Sequence, residues 1–185
     1  RCVTTHLKKE EVISHKKELV DCLFKHIPVG VGGKRKNFIT KKDMPDILTN
    51  GAKWAVDHGY GVIEDLENCE EGGHVTYADA SLISDRAKSR GISQLGTLGS
   101  GNHYVEIQVV DQIFDEKAAQ TMGLVVGEVI IMIHTGSRGL GYQVADDFIK
   151  EMEIKCKNSN LPDPQLSSAP VSSELGSRYL HSMGA

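Results

Sequence analysis

Two histidines each stand where an apolar, strand-like run meets a glycine-rich loop, in opposite order. In "LGTLGSGNHYVEIQVV", Leu95 to Val110, the glycine loop comes first, then Asn102 and His103, then the run. In "VIIMIHTGSRGLG" the apolar run comes first, then His134, then the loop. Neutral imidazole is the commonest protein ligand for borderline transition metals, and a strand end holds a ligand more rigidly than a loop does. Two imidazoles are too few for a metal site, since even open catalytic sites take about three protein groups. Either histidine could equally be a hydrogen-bonded structural residue, and spacing alone leaves both readings open.

The loops carry a chemistry of their own. Gly96, Gly99 and Gly101, and later Gly136, Gly139 and Gly141, permit positive φ and let backbone N–H groups approach an anion. "GSRGLG" adds Ser137 and Arg138, whose planar guanidinium suits phosphate oxygens. The bland alternative is two tight turns with a solvated arginine. Neither loop is a Walker loop, because the Gly-Lys-Ser/Thr ending is absent. "GTLGSG" precedes a strand rather than opening a helix, so it is no Rossmann fingerprint. The basic loop "GGKRKN", with Lys34, Arg35 and Lys36, could touch a phosphate backbone or be merely solvated. Glu70 and Glu71 near His74 read as a solvated acidic loop rather than a metal site.

The elements that must position these groups follow from periodicity. One amphipathic helix is expected over Glu10 to His26, stopped by Pro28, and a second from a Thr40 cap through His58, stopped by Gly59. Asp79 to Arg90 reads as a third. A strand is expected from Tyr104 to Val110 and another over Val129 to Ile133, with a short helix over Asp115 to Met122 between them. Gly141 to Lys157 and Ser173 to Met183 read as helices joined by a Pro/Ser-rich connector, Asn158 to Ser172. Helices and strands mix without βαβ alternation, so the expected fold class is α+β, mixed β-sheets flanked by helices.

The chain has 185 residues, 39% hydrophobic and 25% charged, as befits one globular domain. No internal repeat or domain boundary is evident. Only 5% is aromatic, so aliphatic side chains must fill the interior. A net charge of −4 gives no global nucleic-acid signature. Cys2, Cys22, Cys69 and Cys156 are widely spaced, which argues against a disulfide framework and for a reducing, intracellular compartment. No apolar run reaches the roughly 18 residues of a membrane span. No signal peptide is evident, there is no initiator Met, and "YLHSMGA" stops within a helix-like run, so the chain reads as an internal fragment.

The stretches "LGTLGSGNHYVEIQVVD", "MIHTGSRGLGYQVADD" and "FKHIPVGVGGK" resemble the RtcB family, the RNA-splicing ligases, and most closely its eukaryotic and archaeal branch. The resemblance runs through nearly the whole chain and makes it the central portion of one RtcB-like catalytic domain, itself incomplete. It implies an enzyme that joins an RNA 3′-phosphate or 2′,3′-cyclic phosphate end to a 5′-hydroxyl end, using GTP and two manganese ions. A histidine is guanylylated, the GMP passes to the RNA 3′-phosphate, and the 5′-hydroxyl displaces it. Implied partners are RNA (tRNA exon halves), tRNA-ligase complex subunits and an archease-type activator, in the cytoplasm or nucleus, with no membrane.

Residue by residue, the resemblance makes His103 and His134 metal ligands, one for each manganese. It assigns GTP binding to Asn102, His103, Tyr104, Val105 and Glu106, with Asn102 on the guanylate phosphate and Glu106 on the guanine edge. Ser137 and Arg138 are then phosphate-binding. An Asp-x-x-Cys-Gly motif is expected before Arg1, so Cys2 is not the bridging cysteine. A third metal histidine and the nucleophilic histidine are expected beyond Ala185. Thus no catalytic nucleophile lies in these residues, and the chain alone forms no GMP adduct. His6, His15, His26, His58, His74 and His181 lie in no motif that could replace them. Tyr142 stands where many members have a histidine. The alternatives are a catalytically inactive shortened homologue that binds RNA or a partner, and a metal- or nucleotide-binding hydrolase whose likeness is confined to the loops.

Overall fold

Alternation in "YVEIQV" and the nearly continuous apolar run in "EVIIMIH" make two strands of one sheet. The computed structural model describes residues 1–30, 39–156 and 161–185. The basic loop Lys34 to Lys36 and the first residues of the connector, Asn158 to Asn160, lie outside the described residues. Along the chain run β1 (Cys2–Lys8), α1 (Lys9–Ile13), α2 (Lys16–His26), α3 (Met44–Asn50), α4 (Ala52–Asp57), α5 (Ile63–Glu67) and α6 (Asp85–Ile92). There follow β2 (Tyr104–Val109), α7 (Glu116–Met122), β3 (Glu128–His134), α8 (Arg138–Lys155) and α9 (Glu174–Gly184). The fold class is α+β, as expected. The chain divides into two units, Arg1–Arg35 with Gly96–Gly136, and Lys36–Leu95 with Ser137–Ala185.

The first unit is built on an antiparallel sheet in the order β1-β3-β2. Tyr104 lies opposite His134, Glu106 opposite Met132, and Val105 opposite Ile133. Because side chains alternate with period two, Tyr104, Glu106 and His134 share one face while Val105, Ile107 and Val109 share the other. The latter face, with Leu19, Leu23 and Phe24 of α2, lines an apolar groove of about 390 Å³. The expected helix over Glu10 to His26 is two helices, interrupted at Ser14 and His15. Both residues are weak helix formers, and His15 N–H turns back to the Val12 carbonyl at 3.0 Å.

β1 was not foreseen. Its pairing with β3 slips between Thr4 and Lys8, where His6 takes φ +58°. The bulge breaks the alternation that would have marked "CVTTHLK" as a strand.

The second unit packs helices around Met44, Leu48, Ala87, Val144, Phe148 and Met152. Each large apolar side chain buried there stabilises the unit by roughly 1.5–3 kcal/mol. Small residues of α6 let α8 approach. Ala87 is fully buried, and a Cβ on Gly91 would press against Leu140 at 3.3 Å. The helix expected from Thr40 to His58 splits at Gly51, whose φ is +53° and whose added Cβ would collide with the Gly73 carbonyl oxygen. The acidic stretch "EDLENCEEGGH" holds α5 and a short 3₁₀ turn, Glu70–Gly73. Asp79 to Arg90 becomes a 3₁₀ turn, Ala80–Leu82, and then α6, capped by the Ser84 hydroxyl on the Ala87 N–H at 3.1 Å. Ser173 caps α9 in the same way, on Gly176.

Candidate functional site

The glycine loop before β2 is a built structure. Leu98 N–H donates to the Pro28 carbonyl at 2.9 Å, and Gly30 N–H donates to the Gly99 carbonyl at 2.7 Å. Gly99 is buried with φ +124°, and Gly96 and Gly101 also take positive φ, so this path is closed to other residues without strain. Pro28 and Gly30 thereby brace the loop, a role their place in "FKHIPVGVGGK" does not disclose. After β3, the Thr135 hydroxyl donates to the Leu98 carbonyl at 2.7 Å, tying the second histidine's loop to the first's.

His103 sits at the end of this loop with Nδ1 2.7 Å from the Ser100 carbonyl oxygen. A carbonyl can only accept, so Nδ1 donates to it, and Nε2 is the nitrogen that would face a ligand. A Cβ on Gly136 would lie 3.9 Å from that Nε2, so glycine there keeps the nitrogen's approach clear. His134 ends β3, with Nδ1 3.2 Å from the Tyr104 hydroxyl and the two rings 5.0 Å apart. If Nε2 binds a cation, Nδ1 must hold the proton and the phenol oxygen accepts it. Both histidines therefore present at one end of the β2–β3 pair, each with its second nitrogen held. Two imidazole donors suit a divalent transition metal, and a manganese ion held here would need oxygen ligands beside them. Among the described residues no group of three His, Cys, Asp or Glu side chains could hold a metal.

The other predicted residues divide between the units. Asn102 is exposed in the turn before β2. Glu106 is exposed on the same face as Tyr104 and accepts from Gln108 Nε2 at 2.6 Å. Val105 points to the opposite, apolar face and lines the groove, so its contribution to a nucleotide site is limited to its backbone. Ser137 and Arg138 belong to the second unit, where they open α8 one turn earlier than expected. Arg138 takes φ +52°. A Cβ on Gly141 would collide with the Ser137 hydroxyl, so glycine lets that side chain lie against the helix. Tyr142 is exposed, and its ring lies 5.1 Å from the Arg90 guanidinium carbon in a cation–π contact.

Two of the remaining histidines are engaged elsewhere. His58 Nδ1 lies 2.8 Å from the Trp54 carbonyl and stacks on the indole, and His26 Nδ1 lies 2.8 Å from the Cys22 carbonyl. All four cysteines are free thiols. Among the described residues no helix is long and apolar enough to cross a membrane.

The family described as tRNA-splicing ligase RtcB matches residues 1–185, the whole chain. A tRNA-splicing ligase RtcB of Pyrococcus furiosus is 50% identical over 187 residues, covering 100% of this chain and 19% of that relative. The same-named protein of Methanococcus maripaludis is 48% identical over 185 residues, covering 99% of this chain and 38% of its own length. An RNA-splicing ligase RtcB homolog 1 of Entamoeba dispar is 48% identical over 184 residues, covering 99% and 34% respectively. The chain thus spans well under half the length of the curated relatives it matches.

Proposed function

The chain belongs to the RtcB family, and from that premise we propose that the whole protein is an RNA ligase using GTP and manganese. It joins a 3′-phosphate or 2′,3′-cyclic phosphate end to a 5′-hydroxyl end through a guanylylated histidine, in tRNA splicing and RNA repair, in cytoplasm or nucleus. The observation that carries the reading is the pair of histidines at one sheet end, each with its second nitrogen engaged.

His103 and His134 each hold one manganese ion through Nε2. Bound there, the two ions supply charge neutralisation for a triphosphate and for phosphoryl transfer. The chain's own residues orient the nucleotide. Asn102 donates to the guanylate phosphate, and the Glu106 carboxylate accepts from the guanine N–H groups. Ser137 and Arg138 bind phosphate oxygens, the guanidinium in a bidentate fork. The nucleophilic histidine comes from outside these 185 residues, as does the remainder of the metal site. These residues are the central portion of one catalytic domain.

The test is the full-length protein incubated with GTP, Mn²⁺ and RNA bearing 3′-phosphate and 5′-hydroxyl ends. We expect a covalent GMP adduct and a new phosphodiester, both reduced about 100-fold or more by His103→Ala or His134→Ala. A folded full-length protein that forms neither adduct nor phosphodiester overturns the reading, as does wild-type activity in both variants.

A further inference from the structure

The N-terminus of α8 is secured from α6 and the turn that follows it. Ser137 precedes the first helical residue, yet its hydroxyl makes no capping bond. The amide of Gly139, one of the helix's orphan donors, is taken up by Gln94 instead, N–H to Oε1 at 2.7 Å. The fit leaves no room: a Cβ on Gly139 would lie 2.8 Å from Gln94 Oε1 and 3.2 Å from Arg90 Nε.

Further along, Arg90 Nη1 donates to Gln143 Oε1 at 2.9 Å. Gln143 is completely buried, and its Nε2 donates to Asp147 Oδ1 at 2.8 Å. Asp147 Oδ2 in turn accepts from the Ser84 hydroxyl at 2.7 Å. Ser84, Arg90 and Gln94 therefore fasten α6 to α8 at three levels. The last contact sits next to Arg138, whose φ of +52° is a conformation L side chains avoid.

We infer that Gln94 is a positioning residue for Ser137 and Arg138, acting through the Gly139 amide. The inference rests on the proposed reading that Ser137 and Arg138 bind phosphate. A non-glycine residue holds a left-handed conformation only where its surroundings over-determine it. Gln94 supplies that determination by accepting from the next residue's N–H. Without the acceptor, the amide is left without its partner and the turn relaxes, which moves the guanidinium away from its phosphate. Gln94 itself touches no substrate.

Three variants of the full-length protein decide the point. Gln94→Met removes the acceptor at similar volume, Gln94→Glu keeps an acceptor oxygen, and Arg138→Ala removes the guanidinium. For Gln94→Met we expect a rise of about tenfold in KM for the phosphate-bearing substrates, GTP or 3′-phosphate RNA, with kcat much less affected. Gln94→Glu should restore most of that loss, and adding Gln94→Met to Arg138→Ala should cost little more than Arg138→Ala alone. Equal damage from Gln94→Met and Gln94→Glu, or a fully additive double variant, overturns the inference. Wild-type KM in Gln94→Met with a raised KM in Arg138→Ala also overturns it, leaving the phosphate reading standing. An unchanged KM in Arg138→Ala overturns the phosphate reading itself.

Discussion

The two histidines differ in what holds their second nitrogen. His103 leans on a backbone carbonyl, that of Ser100, which no side-chain substitution removes. His134 leans on a side chain, the Tyr104 phenol. Tyr104→Phe should therefore weaken Mn²⁺ binding by the full-length protein about tenfold, the loss typical of an outer partner of a ligating histidine. Calorimetric titration checks it, and an unchanged affinity would show that the phenol does not orient His134. That both histidines stand where a strand meets a glycine loop was legible in the sequence. Which carbonyl or hydroxyl each would find was not, because that depends on strand register and on loop closure across 30 residues of chain between Tyr104 and His134.

Among the elements, the strands beside the histidines and the helices α7, α8 and α9 were legible to within a few residues, and at α7 and α9 a local cap coincides with the pattern. Ser173 and Asp115 do cap the helices they precede. The helices expected over Glu10 to His26 and Thr40 to His58 are each split, although their apolar period carries across the short interruptions. Gly51 breaks the second through its backbone conformation, which side-chain periodicity does not register. β1 escaped because its partner lies far along the chain. Between elements, Glu151 of α8 joins α9 through Arg178 at 2.8 Å and also holds Lys155 at 2.6 Å. Hydrogen bonds from Lys155 and then Arg178 lower the Glu151 carboxyl below its usual 4.5. Its contribution is thus present above that value and is lost as pH falls through the lower, folded-state value. Glu151→Gln should cost about 0.5 kcal/mol near neutral pH, a small figure because the pair is partly solvated. Urea unfolding at pH 7 and below pH 4 checks the sign, since the gap between variant and parent should close in acid. A gap that widens in acid would contradict it.

For the whole chain, each unit is assembled from two separated stretches of sequence. The core of the second unit draws Met44, Leu48 and Ala87 from the earlier stretch and Val144, Phe148 and Met152 from the later one. Phe148→Ala should accordingly cost about 3–5 kcal/mol in urea unfolding, and a loss below about 1 kcal/mol would show that this core is not what holds the two stretches together. The same interleaving sets an order of events during synthesis. The Thr5 hydroxyl bonds to the Val129 carbonyl 124 residues later, so at roughly 5–20 residues per second β1 waits roughly 6–25 s on the ribosome for β3. The first unit can close once Gly136 has emerged, whereas the second still lacks α8 and α9. In that interval Met44 and Leu48 are without Val144, Phe148 and Met152, which complete their cluster. The nascent chain then still presents an open second unit to chaperones and proteases, before either α8 or its arginine turn exists.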